Sequence, residues 1–221
     1  MSKPAIPQLS TGRKPGELLN ITQLFGVPND SPFGNLLPKV MWMQHRADEV
    51  NERVREAFGT WTSLLDGGSI QRHLFSIEYA VFQIRRLADD LVGCWSLLHA
   101  YVESGQIPDR VDPDKLGALL SSPHHFDHEP FKKHRAVLAL LNDISNAQKH
   151  SFIGYETTMV GEREPVIYAL DVKNNDRRKN NVRLHAVEVA RLIQEFDAFF
   201  VEMWAHLKVL SKTTPKDVDR A

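Results

Sequence analysis

IQRHLFSIEYAVFQIRRLADDLVGCWSLLHAYV, residues 70–102, decides the fold. Its apolar residues Ile70, Leu74, Ile77, Val81, Ile84, Ala88, Leu91, Trp95, Leu98 and Val102 recur every three or four places without a slip. A helix turns that spacing into one continuous face, whereas successive residues of a strand alternate sides. Ala80, Leu87, Cys94 and Tyr101 widen the stripe, which predicts a helix covered over much of its girth. Gly105 and then Pro108 supply the stop in the expected order. Arg85–Asp89 and Arg86–Asp90 have the four-residue spacing of helix-stabilising ion pairs.

The same period continues on both sides. Upstream, Leu36, Val40, Met43, Ala47, Val50, Val54, Ala57, Trp61 and Leu64 predict a long helix, with Pro38 tolerated in its first turn and Gly67–Gly68 as its break. Downstream, Asp112 and Pro113 predict the N-cap and first turn of a short helix. SSPHHFDHEP reads as a loop, and a third main helix is expected from about Phe131 to about His150, with Val137, Leu140, Leu141, Ile144 and Ala147 inward. Residues 155–172 hold two β-prone runs, YETTMV and VIYALDV, around GEREP, which predicts a β-hairpin. Val182, Ala186, Val189, Ile193, Phe196, Phe200, Met203, Leu207 and Leu210 return to the helical period, with Asn180 or Asn181 as N-cap.

The expected fold is therefore mainly α: an antiparallel four-helix bundle with a β-hairpin inserted between the third and fourth main helices. Residues 1–34 are expected to be a partly disordered N-terminal extension, 35–212 the bundle with the hairpin at 152–181, and 213–221 a frayed tail. Leu18, Leu19, Ile21, Leu24 and Phe25 form one apolar patch in the extension that could dock on the body.

Composition sets outer bounds on function. The 27 Lys and Arg against 28 Asp and Glu argue against a wholly phosphate-binding surface, but leave room for a local basic patch. Cys94 is the only cysteine, so neither an intrachain disulfide nor a thiolate metal cluster can form. Its simplest role is a small buried hydrophobe. LVGCWSLLHAYV is the most apolar uncharged run, and it is shorter than the roughly 20 residues a bilayer requires. The N-terminus has no long apolar leader, and a cytoplasmic protein away from membranes is expected. No phosphate-binding glycine loop, nucleophile elbow or convincing metal-ligand set occurs, so neither metal nor cofactor is expected.

The first candidate site is LNDISNAQKHSF, residues 141–152. On a helix Asn142, Asn146 and His150 stack on one face with Lys149 beside them, while Ile144 points the other way. The competing reading is a solvated helix face. SNAQKH resembles the Arg-Asn-x-x-x-His signature of HEPN domains, helical bundles found in bacterial defence systems, toxins and RNA-processing proteins. The resemblance implies a paired, metal-independent RNA-cleaving site, with Asn146 and His150 on the motif's polar and His positions. Ser145 stands where the family has Arg. Attack of a ribose 2′-OH on its phosphate needs a proton shuttle, which His150 could be, and a fixed cation, for which Arg offers a rigid fork. Ser145 carries no charge, and Lys149 would offer only a flexible one. The sequence thus points to an RNA-associated HEPN-like shape more than to a nuclease.

Three other features compete. His124, His125, His128 and His134, with Asp127 and Glu129, have metal-ligand chemistry, although a polar loop explains them more simply. Lys132, Lys133 and Arg135, and Arg177, Arg178, Lys179 and Arg183, could bind nucleic-acid phosphates if they converge; two separate solvated patches are the alternative. Phe75, Tyr79 and Phe82 lie opposite the Ile77–Ile84–Leu91 stripe and need cover, from the chain's own residues 15–34 or from a second copy. Two functions follow: a HEPN-like RNA-associated protein, or a non-catalytic helical module that binds another protein or itself as a homodimer.

Overall fold

In a computed structural model of the chain, the described residues are 5–11, 36–64, 69–150, 164–172, 178, 182–211 and 213. They are mainly helical. The order is α1 (Leu36–Ser63), α2 (Ile70–Ser104), the short α3 (Leu116–Ser121), a 3-10 turn (Pro123–Asp127), α4 (Arg135–His150), β1 (Val166–Val172), β2 (Val182–Glu188) and α5 (Val189–Leu210). Among the described residues, no helix is long and apolar enough to cross a membrane.

The two longest helices run where the apolar period places them. Gly105, with φ of 67°, closes α2 in the left-handed conformation, and its N–H donates to the Tyr101 carbonyl at 2.8 Å. Two starts differ from expectation. The short helix begins at Leu116, not at Asp112–Pro113, and the Asp89 carboxylate on α2 accepts its first N–H at 2.8 Å. Residues 131–134 form turns, so α4 begins at Arg135 and Lys132 and Lys133 precede it.

The largest difference concerns the hairpin. β1 is the VIYALDV run, but its antiparallel partner is Val182–Glu188, where the apolar spacing predicts the start of the last helix. YETTMV, the expected first strand, lies outside the described residues, as do the N-terminal apolar patch and most of the tail. VRLHAVE satisfies both a four-residue and a two-residue period. Pairing with β1 resolves the ambiguity, because it supplies ladder partners for backbone groups of both segments. Ile167 faces Val187 and Ala169 faces His185, all four of them buried. The chain then passes directly into α5, where the Val189 N–H donates to the Pro165 carbonyl at 3.0 Å.

The chain divides into two compact units, with the division falling inside α1, α2, α4 and α5. One comprises Met1–Leu9, Ala47–Arg85 and Ala136–Asp197, and the other Ser10–Arg46, Arg86–Arg135 and Ala198–Ala221. In the first, Val54, Ile77, Ile84, Ile167, Leu192 and Ile193 line one apolar seam joining α1, α2, β1 and α5. In the second, Trp95 of α2 stacks on His99 at 4.8 Å and meets the edge of Phe131 at 4.9 Å, and Phe131 lies 6.2 Å from Phe199 of α5.

Candidate functional site

Among the described residues of the 141–152 stretch, the polar side chains differ in burial. Asn142 is half-buried, and its Oδ1 accepts from Arg85 Nη2 at 3.4 Å; Arg85 itself is buried. Ser145 is 2% exposed, and its hydroxyl donates to the Asn142 carbonyl at 3.1 Å. The position that resembles the motif's Arg therefore points into the protein and holds no charge. Asn146 and Lys149 are exposed. α4 ends at His150, whose side chain lies outside the described residues.

Lys149 links this stretch to the aromatic residues of α2. Its Nζ lies 5.2 Å from the centre of the Phe82 ring. One turn back along α2, Arg53 of α1 lies over Tyr79, with Cζ 5.2 Å from the ring centre. A cation over an aromatic face meets the negative part of the ring's quadrupole. Phe75 is 62% exposed and Tyr79 40%, while Phe82 is half-buried. The expected cover from residues 15–34 lies outside the described residues.

Beside these rings is an open groove of about 450 Å³, lined by residues that include Arg53, Glu56, Arg72, Phe75, Ser76 and Tyr79. Glu56 is its electrostatic centre. One carboxylate oxygen accepts from Arg72 Nε at 2.8 Å and the other from Arg53 Nη1 at 2.7 Å. Those hydrogen bonds, that of Arg72 first, hold the Glu56 carboxyl below its ordinary range, and the Arg53–Glu56 bond raises the pKa of Arg53. The bridge keeps both guanidiniums next to the exposed rings. Arg53 and Glu56 sit three apart on α1, but the Glu56–Arg72 pair joins two helices. No periodicity announces such a pair, which is why sequence reasoning found the rings and missed their frame.

Several of the remaining candidates have structural partners. Lys133 Nζ is 2.6 Å from Glu202, and His134 Nε2 is 3.1 Å from the same carboxylate oxygen. Arg135 lies over the Phe126 ring at 4.9 Å, and Lys132 is exposed. Arg178 is exposed, while Arg177 and Lys179 lie outside the described residues, as does any convergence of the two basic clusters. His128 packs 5.2 Å from Trp95 and 4.9 Å from His99. Among the described residues no group of three or more His, Cys, Asp or Glu is placed to hold a metal ion. Burial, assisted by the charge of Asp90, pushes the Cys94 thiol up to about 12, which keeps it protonated and unreactive.

Compared with protein-family models, curated proteins and solved structures, the chain matches none.

Proposed function

We propose that this chain is a non-catalytic helical interaction module, built as an antiparallel four-helix bundle, whose working surface is the groove of Arg53, Glu56, Arg72, Phe75 and Tyr79. The observation that carries the reading is the exposure of Phe75 and Tyr79 beside two guanidiniums held by one carboxylate. Aromatic residues and Arg are enriched at the hot spots of protein–protein contacts; the rings bury large areas with few rotors, and the guanidinium offers a planar fork of donors. Glu56 lies between the two cations and Glu49 flanks Arg53 at 4.0 Å, so the groove has mixed charge and lacks the uniform positive field a phosphate backbone calls for. The test is a photoreactive phenylalanine at position 75. We expect an adduct with a protein, lost when Tyr79→Asp is added; the absence of any adduct overturns the reading.

A second reading, a HEPN-like RNA-associated protein from a bacterial defence or toxin–antitoxin setting, draws support from exposed Asn146 and Lys149 and from the Lys149–Phe82 contact. An aromatic face with a cation beside it is how sequence-tolerant single-strand binders hold bases. Ser145, which is buried and uncharged, supplies no fixed cation at the position where cleavage would use one. An RNA adduct at position 75 would favour this reading over the first. Its enzymatic form predicts metal-independent cleavage of cellular RNA by the native chain and none by His150→Ala, and equal behaviour of the two eliminates it.

A further inference from the structure

A second contact involves α1, at Asn51, which is not among the residues that line the proposed groove. Residues 5–11, Ala-Ile-Pro-Gln-Leu-Ser-Thr, form neither helix nor strand, yet they are held against the body. Pro7 and Leu9 are buried, while Ile6, Gln8 and Ser10 between and around them are exposed. That alternation is how an extended peptide presents every second side chain to a groove.

Asn51 reads the backbone. The Leu9 N–H donates to Asn51 Oδ1 at 2.6 Å, and Asn51 Nδ2 donates to the Leu9 carbonyl at 3.1 Å. A side-chain amide carries an acceptor and donors in one plane, so it can satisfy both backbone groups of a single residue. Neither bond depends on which side chain the peptide carries. Side-chain selection comes from Leu9, which is 2% exposed, and from Pro7, whose restricted φ reduces the entropy lost on docking. This is the recognition logic of a peptide-binding site, with the chain's own terminus as the ligand.

Residues 12–35 separate the docked segment from the start of α1. A stretch of that length has a contour on the order of 80 Å, long enough to reach an adjacent molecule. We propose that the Asn51 groove is a docking site for an extended Pro-x-Leu segment, filled by the chain's own residues 5–11 and, in exchange, by the same residues of a second copy. The inference is independent of the Phe75–Tyr79 reading.

The test begins with the unmodified full chain. Amide exchange at Leu9 should be at least about tenfold slower than for an unprotected amide, and Asn51→Ala should abolish the protection; an unprotected Leu9 overturns the proposal. Next, the labelled peptide AIPQLST is titrated into full-length Leu9→Asp, with full-length Leu9→Ala as a milder variant and circular dichroism confirming the fold. Saturable binding is expected, at least about tenfold tighter than to the native chain, whose groove is already filled. A peptide with N-methyl leucine at the Leu9 position lacks one hydrogen bond and should bind about fivefold to tenfold more weakly. No binding to the folded variants, or equal binding of the methylated peptide, overturns the docking site. Finally, Leu9→Asp, which keeps the groove, is mixed with Asn51→Ala, which keeps the segment. Sedimentation should show a dimer in the mixture that neither variant forms alone. A monomeric mixture overturns exchange between copies, and dimers in every sample would point to the Phe75–Tyr79 surface instead.

Discussion

Two aromatic clusters sit on α2, one in each compact unit, and the same kinds of side chain serve opposite ends. Trp95 is 2% exposed, stacked against His99 and met edge-on by Phe131. Phe75 and Tyr79 are open, with Arg53 over the Tyr79 ring. Both sets belong to one amphipathic helix with a wide apolar girth. What separates them is supply from elsewhere in the chain. Residues 125–131 bring rings to Trp95, and α5 backs Phe131 with Phe199, whereas α1 brings a guanidinium and a carboxylate to the side of Tyr79. A ring covered by other rings is core; a ring framed by charges that stay wet is available to a ligand.

The contrast is most open to attack at Trp95. Trp95→Ala should cost about 3–5 kcal/mol in urea unfolding, because the deleted indole leaves a cavity that its neighbours cannot fill. A cost below about 1 kcal/mol would mean that the buried cluster is no more structural than the exposed one.

Acid should act next most strongly, on buried histidines of one unit and a half-buried one of the other. Burial lowers the pKa of His73, His185 and His206; the Arg183 charge adds to the effect at His185, and His128 at His206. Each is held neutral in the folded chain, while its unfolded counterpart titrates near 6.5. The stabilisation is therefore complete above that pH and is lost as pH falls towards the depressed folded values, since the unfolded state then binds more protons. Thermal midpoints should fall continuously from pH 7 to pH 5. The slope from each histidine is limited to about 1.4 kcal/mol per pH unit. A flat profile would show that these rings are not shielded as the structure places them.

A smaller effect is expected at the groove's frame. Glu56→Gln removes the charge between Arg53 and Arg72 and should cost at most about 1 kcal/mol, with the difference from the native chain shrinking in high salt. The least effect on stability belongs to the rings themselves. Phe75→Ala should change unfolding by no more than about 0.5 kcal/mol while reducing partner capture. If Phe75→Ala destabilised the chain as much as Trp95→Ala does, the division between core cluster and working surface would collapse.

The long helices were legible because burying one face requires an apolar residue at every third or fourth place, and that requirement is written locally. Ile70–Val102 and Leu36–Leu64 could be read to within a turn. The 182–188 segment could not, since its residues suit two periods and only β1 chooses between them. The exposed aromatic face was visible as a surplus of rings opposite the α2 stripe. Glu56 and Arg72, sixteen residues apart, and Asn51 and Leu9, forty-two apart, were not visible, because a single contact between distant residues leaves no repeat. The 141–150 stretch was legible in part. Helical spacing put its polar residues on a common side, but it could not show that Arg85 holds Asn142 or that Ser145 is interior.

Amphipathic spacing alone thus accounts for the helical class of this protein and for the extent of its two longest helices, since those depend on the water-avoidance of neighbouring residues along one chain. Which rings stay open, which strand completes the hairpin and which backbone Asn51 grips are settled by distant segments meeting. Such meetings are determined by whole-chain packing, where each polar group must find a partner or remain in water.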